Sequence, residues 1–425
     1  MIIALSQFNS TIGNLDGNTD LIQNIIRKDR DKADILVFPE MALTGYPTKD
    51  LVFDKDFMQS ANNALLEISK NVFGIVVLLG TVRIENNKLY NTVAVMQSGK
   101  IIGFRDKTLL PTYDVFDEKR YFSSSKIIEP IEVKINNENI MLGLQVCEDL
   151  WDDNYDIKVT DILDEKKSNI IINLSASPFY VDRVNDRIDK VKQKVRKINK
   201  PYIYCNAVGY QDELVFDGQS FAVNSNGELS TIAPAFKEAL LLFNISSVNN
   251  CKHPELNQYE QLYKALSLGV KDYLSKTHHS KAIIGLSGGI DSALTASIAA
   301  SALNKNDIFG ISMPSQYSSD HSIRDAELLA CNLGINFEVI HINDVNDRFL
   351  SVLGNTLDES SPGLAEENLQ ARIRGNILMT IANKKNALLL NTGNKTEMAL
   401  GYCTLYGDMC GALGVISDLN KKEVY

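Results

Sequence analysis

The sequence has no Cys-x-x-Cys pair, no apolar run long enough to span a membrane and no excess of positive charge. Its six cysteines are scattered, at 147, 205, 251, 331, 403 and 410. Scattered thiols argue against a disulfide framework. His253 lies near Cys251, but no second Cys/His pair accompanies it, which argues against a zinc site. A reducing compartment, the cytoplasm, is the expectation. The formal net charge of -10 argues against a nucleic-acid partner and leaves room only for a local basic pocket. A membrane partner is not expected either. The opening Met1-Ile2-Ile3-Ala4-Leu5 is too short and uncharged for a signal peptide and reads as a first strand.

What remains is the balance of an ordinary globular protein, with 44% apolar and 23% charged residues over 425 positions. That length predicts two or three domains. Residues 1–245 alternate strand-like and helix-like segments. Strands are predicted at 35–38, 75–79, 93–96, 140–146, 170–174 and 202–205. Leu21, Ile22, Ile25 and Ile26 mark a helix face, as do Leu65 and Ile68. Residues 246–257 read as a linker. Tyr259, Leu262, Tyr263, Leu266, Val270 and Leu274 then recur at helical spacing and open a second α/β domain over 258–425. Its later strands are predicted at 308–313 and 337–340. The Gly-, Ser- and acid-rich stretch 354–368 reads as a loop over the site.

Two groups of residues carry chemistry. The first is Ser287-Gly288-Gly289-Ile290-Asp291-Ser292, after the apolar Ala282 to Leu286 and before a face of Leu294, Ile298 and Ala302. A strand, a glycine turn and a helix start point backbone N–H groups and a helix dipole at one spot, which suits a phosphate. The spacing is not that of a Walker A loop, and no lysine follows the glycines. The competing interpretation is a plain strand-to-helix turn. The second group is Glu40, Lys107 and Cys147, each at the end of a strand-like run, where α/β folds bind ligands. A cysteine there becomes a nucleophile if Glu40 takes its proton and Lys107 steadies the developing charge. Each residue alone reads more simply as core or solvated surface.

Together these residues carry a resemblance. Phe38-Pro39-Glu40, Lys107-Thr108-Leu109-Leu110-Pro111, Phe116-Asp117-Glu118 and Cys147-Glu148-Asp149-Leu150-Trp151 occur in the order of the nitrilase superfamily. Gln211 to Gly218, Met313-Pro314-Ser315 with Tyr317-Ser318-Ser319, Glu367 to Arg374, Thr392 to Glu397 with Leu400-Gly401-Tyr402, and Gly407-Asp408-Met409 extend the match. The whole chain resembles the glutamine-dependent NAD+ synthetase family. The resemblance implies an α/β protein, with an N-terminal nitrilase-like αββα sandwich and a C-terminal Rossmann-like pyrophosphate-loop domain. It implies a homo-oligomer, with glutamine, nicotinic acid adenine dinucleotide and ATP as substrates and Mg2+ as cofactor. Glu40 is then the base, Lys107 the oxyanion partner, Cys147 the nucleophile and Glu118 a support. Tyr113, Glu148, Ser175 and Ser177 fall at glutamine-binding positions. Gly285, Ser287, Gly288, Gly289, Ile290, Asp291, Ser292 and Thr392 fall at ATP positions. Asn368, Arg374, Glu397, Asp408 and Lys421 fall at dinucleotide positions, with Asp291 and Glu397 as metal ligands. Free ammonia is a minor species near neutral pH, so an internal channel from Cys147 to the glycine loop is expected.

The sequence departs from the family pattern in places. Ser177-Pro178-Phe179-Tyr180-Val181-Asp182 lacks the Gly-Lys that commonly follows Ser-Pro-Phe, and Tyr210 stands where glycine is usual before Gln211. Val415 replaces a usual proline and Asn420 a usual aromatic. The family is also expected to continue past Tyr425, so the second domain reads as truncated. Two other interpretations stay open: a pyrophosphate-loop amidotransferase acting on another acid, or a nucleotide-binding chain without turnover.

Overall fold

The computed structural model describes residues 1–246, 250–253, 256–316, 318–354 and 363–425. It divides into two units, Met1–Gln258 and Tyr259–Tyr425. Tyr317, parts of the expected linker (247–249 and 254–255) and most of the expected loop (355–362) lie outside the described residues. Among the described residues no helix is long and apolar enough to cross a membrane.

Unit 1 is built on two six-stranded sheets. One runs, in spatial order, Ala239–Asn244, Ile2–Gln7, Ile35–Val37, Val76–Glu85, Lys88–Gln97 and Lys100–Asp106. The other runs Leu229–Ile232, Phe221–Val223, Tyr202–Asn206, Ile170–Ser175, Glu138–Val146 and Ile131–Ile135. Strand alternation sends successive side chains to opposite faces. Ile3, Leu5, Val37, Leu78 and Val93 therefore meet Leu144, Val146, Ile172, Leu174 and Ile203 in one core between the sheets. Ala4, Leu36, Val77 and Leu79 face outward onto the helices Leu15–Asp29 and Lys55–Lys70 through Ile22, Ile26, Leu65 and Ile68. Ile171, Tyr202 and Tyr204 face the helix Arg183–Ile198 through Val184, Ile188, Val191 and Val195. The layers are thus helix, sheet, sheet, helix, as expected. Leu21, assigned to the buried helix face, is instead exposed, because the apolar stripe centres on Ile22 and Ile26.

Unit 2 is a five-stranded parallel sheet in the order Asn336–Val339, Ile308–Ser312, Lys281–Gly285, Ala387–Asn391 and Leu413–Gly414. Both faces are covered. Val270, Leu274, Ala296, Ile298 and Ala299 pack on one side, and Ile342, Ile373 and Ala382 on the other. Lys281–Gly285 comes first in the chain yet lies between the second strand and the fourth, so the loop after it sits where the sheet changes direction. Tyr259 and Tyr263 of the opening helix are exposed; Val270 and Leu274 carry its burial. The expected loop over 354–368 is corrected at its end. The helix Leu364–Lys385 already holds 364–368, and the Gly363 N–H donates to Glu366 Oε2 at 2.7 Å to start it.

Candidate functional site

In unit 1 the ends of three strands and one short helix converge. Glu40 follows Ile35–Val37, Lys107 follows Lys100–Asp106, Cys147 follows Glu138–Val146, and Glu118 opens the helix Glu118–Tyr121. The loop carrying Glu40 lies directly on the strand Val76–Glu85 at Gly80. A Cβ at Gly80 would stand 2.1 Å from the Pro39 carbonyl oxygen and 2.6 Å from Glu40 Cα, so only glycine allows this approach. Cys147 takes a left-handed φ of 39°, a conformation a non-glycine residue adopts at a cost of about 1–3 kcal/mol. Asp149 helps to hold this turn. Its carboxylate accepts the N–H groups of Thr108 (3.0 Å), Leu109 (2.9 Å) and Val146 (3.2 Å), which joins the Lys107 and Cys147 segments.

Lys107 is buried between two carboxylates. Its Nζ donates to Glu40 Oε1 and to Glu118 Oε1, both at 2.8 Å. Burial alone would pull the ammonium towards neutrality, but Glu118 and Glu40 outweigh it and raise its pKa. Burial lifts the Glu118 carboxyl to about 7, against the pull of Lys107. Burial, then the Glu40 carboxylate, pushes the Cys147 thiol well above its ordinary range, against the pull of Lys107. Cys147 is therefore held as a neutral thiol beside the Glu40 carboxyl group, and a thiol in that state needs a base before it can attack. Glu40 Oε2 also accepts the Ala176 N–H at 2.9 Å.

The four expected glutamine-binding residues surround this group in different ways. Glu148 receives the Tyr113 hydroxyl at 2.9 Å and the Tyr155 hydroxyl at 3.0 Å. Ser175 donates to Asn173 Oδ1, and Asn173 Nδ2 donates to the Cys147 carbonyl at 3.3 Å. Ser177 is held by the fully buried Arg187, whose Nε reaches its Oγ at 3.2 Å while Nη1 pairs with Asp217 at 2.7 Å. In the stretch after Ser177-Pro178-Phe179, Asp182 adopts a left-handed φ of 66°, and Arg183 stacks 4.2 Å above the Trp151 ring. Asn91, Tyr46, Tyr155 and Arg187 were not singled out from the sequence. Asn91 left a signal, a polar residue just before the apolar Val93 to Met96.

In unit 2 the glycine loop closes on itself. Gly288 has φ 81°, and a Cβ there would meet the Ser322 carbonyl oxygen at 2.5 Å. Ser292 Oγ donates to the Gly289 carbonyl at 2.9 Å, and Ser287 Oγ accepts the Gly289 N–H at 3.2 Å. The helix Ile290–Ala302 starts here. Two cavities adjoin the loop, of about 580 and 340 Å³. Ser287, Thr392, Tyr402 and Asp408 line both. The larger also takes Gly285, Asn368 and Arg374; the smaller takes Asp291, Ser292 and Glu397. Gly288, Gly289, Ile290 and Lys421 line neither cavity.

Arg374 Nε donates to the Met313 carbonyl at 3.0 Å, and burial lowers the pKa of its guanidinium. Asn368 accepts the Thr404 hydroxyl at 2.7 Å, and Asp408 accepts the Thr404 N–H at 2.6 Å. Asp291 takes Asn394 Nδ2 at 2.9 Å and Lys421 Nζ at 2.5 Å. Glu397 Oε2 accepts the Asn394 N–H at 3.1 Å, a helix-capping contact. Among the described residues no cluster of three or more His, Cys, Asp or Glu is placed to hold a metal. Two carboxylates on one cavity still suit Mg2+, which commonly binds one or two carboxylates and completes its shell with phosphate and water. Asn420, in place of an aromatic, caps the final helix, Lys421–Val424, by accepting the Glu423 N–H at 3.1 Å.

Residues 2–249 match the carbon-nitrogen hydrolase family and residues 262–425 the NAD synthase family. The chain is 44% identical to a glutamine-dependent NAD(+) synthetase of Synechocystis and 38% identical to one of Thermotoga maritima. Each match covers all of this chain and 79% of the relative. The structure resembles that of the glutamine-dependent NAD+ synthetase of Acinetobacter baumannii in complex with ADP, with a TM-score of 0.90 at 35% identity, over all of this chain and 80% of that one.

Proposed function

This chain belongs to the glutamine-dependent NAD+ synthetase family, and from that premise we propose how its residues divide the reaction. The enzyme is an ATP-dependent ligase that forms a C–N bond. We assign glutamine hydrolysis to residues 1–245 and synthesis to 258–425, joined through 246–257. Glu40 takes the Cys147 proton as the thiol attacks the glutamine carboxamide. Lys107 steadies the tetrahedral oxyanion. Glu118 and Glu40 keep the Lys107 proton in place. Glu40 passes that proton to the leaving nitrogen as the C–N bond breaks, ammonia departs, and water then releases glutamate from the Cys147 thioester and restores the thiol. Glu148, Tyr113, Ser175 and Ser177 line the glutamine site.

In unit 2 the helix start at Ser287 to Ser292 receives the ATP phosphates. Thr392 contacts ATP from the wall common to both cavities. Asn368, Arg374 and Asp408 take nicotinic acid adenine dinucleotide, and Lys421 takes pyrophosphate. ATP converts the dinucleotide carboxylate to an adenylate, and ammonia displaces AMP to give NAD+. Asp291 and Glu397 would hold Mg2+, which supplies charge neutralisation at the phosphate oxygens. The enzyme is assigned to the cytoplasm, where its cysteines stay free thiols, and to a homo-oligomer.

The observation that carries this reading is the buried Glu40–Lys107–Glu118 group beside Cys147, in one chain with a glycine loop bordering two cavities. Incubation with glutamine, ATP and nicotinic acid adenine dinucleotide should yield NAD+, AMP, pyrophosphate and glutamate. Cys147→Ala should abolish glutamine-driven synthesis and spare ammonia-driven synthesis. Equal loss of both would overturn the division of labour.

A further inference from the structure

We propose that Asn91 is a positioning residue for the Glu40 base: its side-chain amide orients the carboxylate while its backbone holds the Lys107 segment. The inference rests on the assignment of Glu40 and Cys147 to glutamine hydrolysis. Asn91 lies in the strand Lys88–Gln97 and is buried. Its Nδ2 donates to Glu40 Oε1 at 2.7 Å. A carboxylate only accepts, so the amide group must face Glu40 and the orientation of the side chain is unambiguous. Its Oδ1 is buried and has no hydrogen-bond partner among the described residues. The side chain is therefore held by Glu40 and not by a contact of its own acceptor. The Asn91 backbone carbonyl accepts the Lys107 N–H at 2.8 Å, one step beyond the strand pairing of Thr92 with Asp106. One residue thus touches both the base and the segment of the oxyanion partner.

The arrangement has a chemical purpose. Glu40 accepts from Asn91, Lys107 and the Ala176 N–H, and donors of this kind favour the ionised form. The other charged or titratable groups facing it are Glu118, Tyr46 and Cys147. Lys107 is shared with Glu118, so it does not fix the Glu40 carboxylate by itself. The Asn91 amide adds a second anchor on the same oxygen.

The test compares Asn91→Ala and Asn91→Asp in the full chain. Loss of a hydrogen bond to a charged group predicts a fall of about 10–100-fold in kcat with glutamine for N91A. N91D should fall further, because it sets a second carboxylate against Glu40 Oε1. The acid limb of the glutamine kcat/KM profile should move to higher pH in both, more in N91D. Ammonia-driven NAD+ formation should stay unchanged, which shows that the fold is intact. A residue that only fills space would tolerate the isosteric aspartate and leave the acid limb in place, and either result overturns the proposal. If N91D does not fold, the N91A profile decides. Alkylation of Cys147 by iodoacetamide, followed by mass spectrometry, should slow in the variants. A wild type that hydrolyses no glutamine overturns the assignment of Glu40 and Cys147; the alkylation rates then decide Asn91 separately, and equal rates refute it.

Discussion

Replacing Glu118 by glutamine tests the charge balance around Lys107. Glu118 is buried, shares the Lys107 ammonium with Glu40 and accepts the Tyr46 hydroxyl at 3.0 Å. Burial moves its carboxyl up from an ordinary 4.5 to about 7. Between those values the native state keeps a proton that the unfolded chain has released. Stability therefore falls as pH rises through that window, and the loss is complete above about pH 7. At about 1.4 kcal/mol per factor of ten in acidity, the loss is about 3 kcal/mol. Glutamine at this position keeps an acceptor oxygen for Lys107 and Tyr46 but does not titrate. Urea unfolding at about pH 5 and about pH 8 measures the difference. The sole tryptophan, Trp151, lies in unit 1 and reads that unit. The wild type should lose about 2–3 kcal/mol more than E118Q between the two conditions. Equal losses would refute the reasoning, because they would show that Glu118 does not titrate there. E118Q should also lower kcat with glutamine by about 10–100-fold, since Lys107 loses a charged partner.

Three further changes act elsewhere. Gly80→Ala should force the Glu40 loop off its strand, lower unit 1 stability by about 1–3 kcal/mol in urea melts and remove glutamine hydrolysis. Arg187→Met leaves Asp217 buried without its cation and should destabilise unit 1 by about 3–5 kcal/mol; a melting temperature close to wild type would contradict this. Asp291→Asn removes the negative partner of Lys421 at the smaller cavity. It should depress NAD+ formation from glutamine and from ammonia alike, with glutamate release from glutamine alone retained.

Much of the architecture was legible because it rests on short-range patterns. The apolar runs at 35–38, 170–174 and 202–205 became strands, since their side chains have a core on both faces, and 140–146 became one by burying Leu142, Leu144 and Val146 between the sheets. Other elements were not legible. Ala387–Asn391 and the two-residue Leu413–Gly414 were not predicted as strands. Leu413–Gly414 is too short to show a period, and its register comes only from pairing with Leu390 and Asn391. The stretch 364–368 read as loop because acidic residues crowd it, yet the helix formed by 364–385 draws it in.

For the site, local pattern was enough to mark which residues stand at strand ends. Motif order marked Glu40, Lys107, Glu118 and Cys147 as one group although 107 positions separate the first from the last. Their partners came from the packing of the fold. It set Lys107 equally between two buried carboxylates and put Asn91 on Glu40. It also gave Asp291 the Lys421 ammonium from the far end of the chain. The difference is one of range. A strand end follows from a few neighbouring residues, whereas a buried charge is decided by whichever groups the sheets bring within about 3 Å of it.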